Sequence, residues 1–373
     1  MSEMMSLFDL LPEEEAARFK PMKSTDWKWT FADYPTEKNG LKVFSCFACG
    51  GGSTMGYKLA GCDVIGCCEI DPRMNEIYIR NHHPKHNYLM DIRDFNAIPD
   101  EELPPELFDL DVLDGSPPCT TFSMAGDREK TWGKKKKFRE GQKEQTLDDL
   151  SFVFIETVKK LKPRVVIMEN VEGLIRGEAF SYVQKIYKQF DETGYQVHHW
   201  LMKGEMMGIP QQRHRVIFVA IRNDMDIDPK RINMAFNYEP VLFEEIKSEN
   251  GIKMRDGKLK TMAMMAQPGD YQLADVNKRV YGNDGLFNFV IQYDDKVCST
   301  IPAKNVLIRF DTREWMGTKD AINAQTFPQD YDFGTNMANK IFFILGMSVP
   351  PVMMKRVVQR LIDEGVFAYK GVT

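Results

Sequence analysis

The run Asp114-Gly115-Ser116-Pro117-Pro118-Cys119 places a thiol directly behind two prolines. Proline fixes its own φ, so the thiol that follows is held rather than floppy. Thiolate is the reactive form of cysteine, and an electropositive setting favours it. The next segment supplies such a setting. Arg128, Lys130, Lys134, Lys135, Lys136, Lys137, Arg139 and Lys143 stand against Asp127, Glu129, Glu140 and Glu144, eight basic residues to four acidic. A basic loop beside a cysteine suits a phosphate backbone lying over a reaction site, although alone it would read as a solvated loop. Glu169-Asn170-Val171 ends the apolar run VVIMEN, which points a carboxylate at the same sheet edge. Gln211-x-Arg213-x-Arg215 precedes VIFVAI, and alternate strand residues share a face, so the two arginines project together.

A second constellation lies nearer the N-terminus. Gly50-Gly51-Gly52 sits between a strand-like run and a helix-like run. Glycine allows positive φ and close approach of the backbone to a ligand, but a tight βα turn needs the same residues. Glu69 closes the next strand-like run, where an acid can accept hydrogen bonds from ribose hydroxyls. Asp91 follows a third short strand and could reach an adenine amino group. Together these residues favour a cofactor that contains a nucleoside.

Strands must carry these groups to a common edge. KVFSCF, DVIGCCEI, FDLDVLDG, VVIMEN and RVIFVAI read as strands, and PRMNEIYIRNH and LSFVFIETVKKLK as helices between them. That alternation implies an α/β fold with a parallel sheet covered on both faces. The rhythm stops near Asn223. The organisation expected is an extension over residues 1–40, a sheet domain over 41–222, a small mixed region over 223–300, and a return over 301–373. The return ends in a helix with Val352, Arg356, Val357, Arg360 and Leu361 at helical spacing. Leu7, Leu10, Leu11 and Ala16 suit a short amphipathic helix in an extension that is docked or disordered.

The 373 residues carry 49 Lys+Arg and 54 Asp+Glu, a net charge of −5, which excludes a uniformly basic coat. No run of about 18 apolar residues predicts a membrane span. The N-terminus lacks the basic start of a signal peptide. Five of seven cysteines fall between Cys46 and Cys68. Their interleaving with Val43, Phe44, Phe47, Val64 and Ile65 favours core packing over zinc ligation, and a reducing cytosol over a disulfide scaffold.

Taken in order, these residues resemble the cytosine-C5 DNA methyltransferase family. The resemblance covers about residues 41–222 and 297–363. It rests on Phe47-Ala48-Cys49-Gly50-Gly51-Gly52, Glu69-Ile70-Asp71, Asp91-Ile92, Pro117-Pro118-Cys119 with Phe122-Ser123, Glu169-Asn170-Val171, Gln211-x-Arg213-x-Arg215, Gln325-Thr326-Phe327-Pro328 and Gly346-x-Ser348-Val349-Pro350-Pro351. It implies a Rossmann-like methyltransferase sheet domain with a smaller target-recognition domain at 223–300. It implies S-adenosylmethionine as cofactor, double-stranded DNA as partner, no metal, and a cytosolic monomer.

The same resemblance assigns roles. Cys119 would attack C6 of a flipped cytosine, Glu169 would hold and protonate N3, Arg215 would contact O2, and Arg213 would support the site. Phe47 would stack on the adenine, Glu69 bind the ribose, and Asp91 and Ile92 flank the adenine. Gly50, Gly51, Ile70 and Val349 complete that pocket, with Pro118 and Leu150 on its methionine side. Ser123, Lys134, Lys135, Lys136, Lys137, Arg139 and Gln211 would meet DNA. The chain departs from the family where Cys49 stands for a usual glycine, Ile344 and Met347 for Gln and Asn, and Asp148-Asp149 for an Arg-Gly pair. Met347 would leave the cofactor carboxylate one polar partner fewer, or reshape its pocket. The alternatives are a DNA-binding homologue without catalysis and an RNA-directed member. Ser123 stands where the latter usually has Thr.

Overall fold

A computed structural model describes residues 21–118 and 150–368. Seven strands form one sheet: β1 (Lys42–Cys46), β2 (Asp63–Glu69), β3 (His86–Leu89), β4 (Val112–Gly115), β5 (Val165–Val171), β6 (Tyr195–Lys203) and β7 (His214–Arg222). Their order is β3-β2-β1-β4-β5-β7-β6. The connecting helices are α1 (Gly52–Leu59), α2 (Pro72–His82), α3 (Ile92–Ala97), α4 (Leu150–Leu161) and α5 (Phe180–Glu192). A smaller unit follows, with α6 (Phe243–Ile246), α7 (Lys258–Met264), α8 (Leu273–Tyr281), β8 (Val290–Gln292) and β9 (Leu307–Arg309). The chain returns through α9 (Thr318–Ala324), α10 (Ala338–Met347) and α11 (Pro351–Asp363).

The sheet departs from the parallel expectation at one strand. β1 to β5 pair in parallel, but β7 runs antiparallel to both β5 and β6. The link from β6 to β7 holds only a single 3₁₀ turn, Gly204–Met207. A parallel crossover needs a dozen or more residues, usually with a helix, so this short link reverses the chain. β6 carries no clear strand signal in the sequence, because His198-His199-Trp200 breaks its apolar alternation.

Side chains alternate between two apolar layers, as a strand period of two requires. Phe44, Leu113, Val166, Met168, Val216 and Phe218 face α3, α4 and α5. Val43, Val112, Val165, Ile167, Ile217 and Val219 face Tyr57 of α1 and Val352, Met353, Val357 and Leu361 of α11. Residues 338–363 contain an 18-residue window apolar enough to cross a membrane by composition, yet 78% of that window is buried inside the protein. They form core helices, parted at Ser348-Val349-Pro350.

The small unit closes later than the 223–300 read from the sequence. Met225, Ile232 and Met234 belong to the α11-side core of the sheet domain. The small unit's own core joins Met254, Met262, Ala263, Leu273, Val276, Ile291 and Ile308, with Trp315 packed against it. The reason is strand pairing: β8 finds its parallel partner in β9, beyond residue 300. Arg309 and Asp320, both fully buried, then tie the unit to α9 through Nε–H donating to Oδ2 at 2.9 Å. The described part of the extension is docked. The Trp29 indole donates to Thr326 O at 2.8 Å, and Asp26 accepts from Arg356 at 2.6 Å and Lys355 at 3.1 Å.

Candidate functional site

The carboxyl ends of β1 to β5 meet along one edge, the place where open α/β sheets bind ligands. At the end of β1 the chain takes positive φ at Phe47 (+56°), Cys49 (+48°) and Gly51 (+81°) before entering α1. A side chain in this left-handed region carries a steric cost, which accounts for a glycine preference where Cys49 stands. The Cys49 N–H is held by Glu69, donating to Oε2 at 2.7 Å. The other oxygen of Glu69 accepts from Asp71 N–H at 2.8 Å. The acid expected to bind a ribose therefore also clamps the glycine loop to the end of β2.

The glycines of this loop answer to protein packing. A Cβ on Gly51 would lie 2.0 Å from His82 Nε2, and one on Gly52 would lie 2.2 Å from Val349 O. Gly50 O accepts from the Tyr331 hydroxyl at 2.6 Å and faces His82 Nε2 at 3.2 Å, while a Cβ on Gly50 would press on Ile344 at 2.9 Å. Burial holds the His82 imidazole neutral, its pKa lowered to about 3. Ile344 is thus packing for the loop, whereas Met347 at the end of α10 is 37% exposed.

Asp91 caps α3 by accepting from Arg93 N–H at 2.8 Å. Ile92 and Leu150 are buried in the core around Phe154, whose ring is 6.3 Å from the half-buried ring of Phe47. Ile70 and Pro118 are half-buried, and Val349 is buried against Gly52. Two acids at successive strand ends beside half-buried apolar residues fit a nucleoside, whose hydroxyls and amino group donate and whose base has apolar faces.

The other half of the edge carries charge. Glu169, near the end of β5, meets Arg215 of β7 with Oε1 to Nε at 2.7 Å, the side chains 11% and 16% exposed. Arg215 also donates to His214 O at 2.7 Å. Asn170 Nδ2 donates to Pro117 O at 3.3 Å, which fixes β5 against the proline turn. Arg213 shares the face of Arg215 but works elsewhere. Its guanidinium donates to Ile301 O at 3.5 Å and Gly346 O at 3.2 Å, stitching β7 to the returning chain.

Gln211 corrects an expectation. It is fully buried and has no surface for DNA. Its amide donates to Gln325 Oε1 at 2.7 Å and Ala324 O at 3.0 Å, and accepts from Ile301 N–H at 2.9 Å. Gln325 in turn donates to Ser348 O at 2.6 Å. The motif Gln-x-Arg-x-Arg therefore locks the return segment with its first two named members and presents only the third to the carboxyl edge of the sheet. Cys119, Ser123, Lys134, Lys135, Lys136, Lys137 and Arg139 lie outside the described residues.

One group at this edge was not singled out from the sequence. Asp114, 1% exposed at the end of β4, accepts from Ser45 Oγ at 2.7 Å and Tyr57 Oη at 3.2 Å. Burial raises its pKa to about 7 against these hydrogen bonds, and the charge of Glu169 adds to the rise. The available signal was a Ser and an Asp at inward positions of apolar strands, where polar residues need partners. The cysteines of β1 and β2 are buried thiols, and burial pushes Cys67 up to about 12. Among the described residues no His, Cys, Asp and Glu cluster is arranged for a metal.

A mostly parallel seven-stranded sheet with β7 reversed, a glycine loop after β1, an acid ending β2 and an acid just after β3 define a Rossmann-like methyltransferase fold. Solved structures agree. A DNA modification methyltransferase encoded within an E. coli prophage superposes with TM-score 0.62 at 18% identity, over 87% of this chain and 99% of its own. The S. pombe Dnmt2 methyltransferase does so with TM-score 0.56 at 16% identity, over 87% and 99%. The model of the C-5 cytosine-specific DNA methylase family matches residues 41–363, and the chain belongs to that family. Among its relatives, the Type II methyltransferase M.FnuDI of Fusobacterium nucleatum is 24% identical over 87% of this chain and 96% of its own length. The Type II methyltransferase M.NgoPII of Neisseria gonorrhoeae is 24% identical over 85% and 94%.

Proposed function

We propose that this DNA cytosine-C5 methyltransferase acts on a cytosine flipped out of double-stranded DNA, through a covalent bond between Cys119 and C6. The observation that carries this reading is the buried Glu169–Arg215 pair at the reacting edge. A carboxyl there can hydrogen-bond and protonate N3 of a base, and the guanidinium can support O2. Cys119 Sγ adds to C6, the proton from Glu169 goes to N3, and C5 gains the electron density to take a methyl group. S-adenosylmethionine supplies that methyl as an electrophile when bound. Loss of the C5 proton to solvent then breaks the Sγ–C6 bond and frees the thiolate, and the N3 proton returns to Glu169. Splitting the reaction this way replaces one hard step by two easier ones. A base inside a duplex is out of reach, and extruding it costs a few kcal/mol, which lysines 134–137 would help to recover through phosphate contacts.

Glu69, Asp91, Phe47, Ile70 and Pro118 would hold the cofactor. Retention of the Glu169–Arg215 pair favours an enzyme over a binding homologue, since a binder has no use for a buried charge pair at that edge. Bisulfite sequencing of DNA from cells expressing the chain tests the reading. Protected cytosines in one short sequence context are expected, with 5-methylcytosine in nucleoside mass spectra. Full conversion at every cytosine would contradict it, and a different C5 substituent would assign Met347 a role in donor choice.

A further inference from the structure

The cofactor loop has a buried acid beneath it. The loop that carries Phe47, Gly50 and Gly51 begins after Ser45 on β1 and ends at Ser53 and Tyr57 on α1. Asp114 lies between these two ends. Ser45 Oγ donates to Oδ2 at 2.7 Å and Tyr57 Oη to Oδ1 at 3.2 Å, and Ser53 bonds the same carboxyl. All four side chains are buried, none more than 8% exposed. Strand parity places Ser45, Asp114, Glu169 and Arg215 on one face of the adjacent strands β1, β4, β5 and β7, so the acid is also in line with the base-binding pair.

We propose that Asp114 is a positioning residue of the cofactor site, its carboxyl joining both ends of the glycine loop, and that it gives up a proton when the cationic methyl donor binds. The proposal rests on the methyltransferase reading above. Its first part follows from connectivity. Without the carboxyl, Ser45 and Tyr57 lose a buried partner, and the loop between them loses its lateral tie to β4. Its second part follows from electrostatics. A positive sulfonium held by the loop favours the charged form of a carboxyl beneath it, and a group half-protonated near neutral pH responds most. The titratable groups facing Asp114 are Tyr57 from α1, Tyr78 from α2, Cys46 from β1 and Glu169 from β5. Burial holds the first three well above their usual values, so they stay protonated and Asp114 is the one free to respond. Glu169 is engaged by Arg215.

S-adenosylmethionine and S-adenosylhomocysteine differ by one methyl group and one positive charge, which isolates the effect. Calorimetric titration of the full chain with each, at pH 7 in two buffers of different ionisation enthalpy, reads affinity and proton exchange together. Wild type is expected to release a fraction of a proton with S-adenosylmethionine and less with S-adenosylhomocysteine. Asp114→Ala should bind both about tenfold more weakly. Asp114→Asn, which can satisfy the same hydroxyls, should bind within about threefold of wild type and show no buffer-dependent heat. Wild-type affinity in Asp114→Ala would overturn the positioning role. Unchanged proton release in Asp114→Asn would overturn the linkage. Failure of wild type to bind either compound would sink the methyltransferase reading, and this inference with it.

Discussion

At the end of β2, Glu69 is held by two backbone N–H groups, those of Cys49 and Asp71 at 2.7 and 2.8 Å. Near the end of β5, Glu169 is held by a side chain, the Arg215 guanidinium at 2.7 Å. The difference separates two kinds of work. A carboxylate clamped by backbone stays put as long as the fold does, which suits a cofactor pocket formed once and reused. A carboxylate clamped by a side chain can exchange its partner, which suits a group that must meet an incoming base and pass it a proton. The same contrast runs through the arginines. Arg213 spends its guanidinium on the carbonyls of Ile301 and Gly346, whereas Arg215 divides its own between the Glu169 carboxylate and the His214 carbonyl.

Arg215→Ala removes the side-chain clamp near the end of β5. It leaves Glu169 largely buried without its counter-charge, and loss of a positioned charge typically costs about 10²- to 10³-fold in turnover. Binding of S-adenosylhomocysteine should change by less than about twofold, because the cofactor half does not use this residue. Equal losses in both would show that the halves are not separate. Glu69→Gln is the converse and should act more mildly. Its amide can accept one of the two backbone N–H groups but faces the other with a donor. Cofactor affinity should fall about tenfold, with turnover at saturating cofactor within about threefold of wild type. A fall in turnover with unchanged affinity would contradict the assignment.

A separate effect lies beneath the loop and appears as a pH dependence of stability. Asp114 titrates near 7 in the folded protein against 3.8 for the free residue. A carboxyl whose folded pKa is raised stabilises the fold fully below the unfolded value, and that contribution is lost as pH rises through the folded value. Between pH 5 and pH 8 the wild type should lose roughly 2–3 kcal/mol relative to Asp114→Asn. Urea titrations at the two pH values measure the difference. A gap that stayed constant with pH would mean that Asp114 is ionised throughout.

Legibility in the sequence followed the range of the interactions. The strands from β1 to β5, the helices α2 and α4, and the acids at the strand ends were readable because each is written in a run of about ten residues. α11 was readable for the same reason, from Val352, Val357 and Leu361, all fully buried. What was not readable depends on partners far along the chain. Gln211 looks like a surface residue until Gln325 and Ile301 arrive, 114 and 90 residues later. The end of the small unit is set by β9 pairing with β8, and the reversal of β7 by a link too short for a crossover. The glycine loop was legible as a turn, but its dependence on His82 and Val349 was not, because both contacts are tertiary.

The proposed mechanism requires Cys119 and Glu169 to act on the same cytosine. Duplex DNA carrying 5-fluorocytosine at the methylated position has no proton to lose at C5, so a covalent adduct formed before that step is trapped. Incubated with S-adenosylmethionine, the wild-type chain should form a denaturant-resistant protein–DNA complex, and Cys119→Ala should form none. Trapping by Cys119→Ala, or methylation by wild type with no trapped complex on the fluorinated duplex, would contradict it.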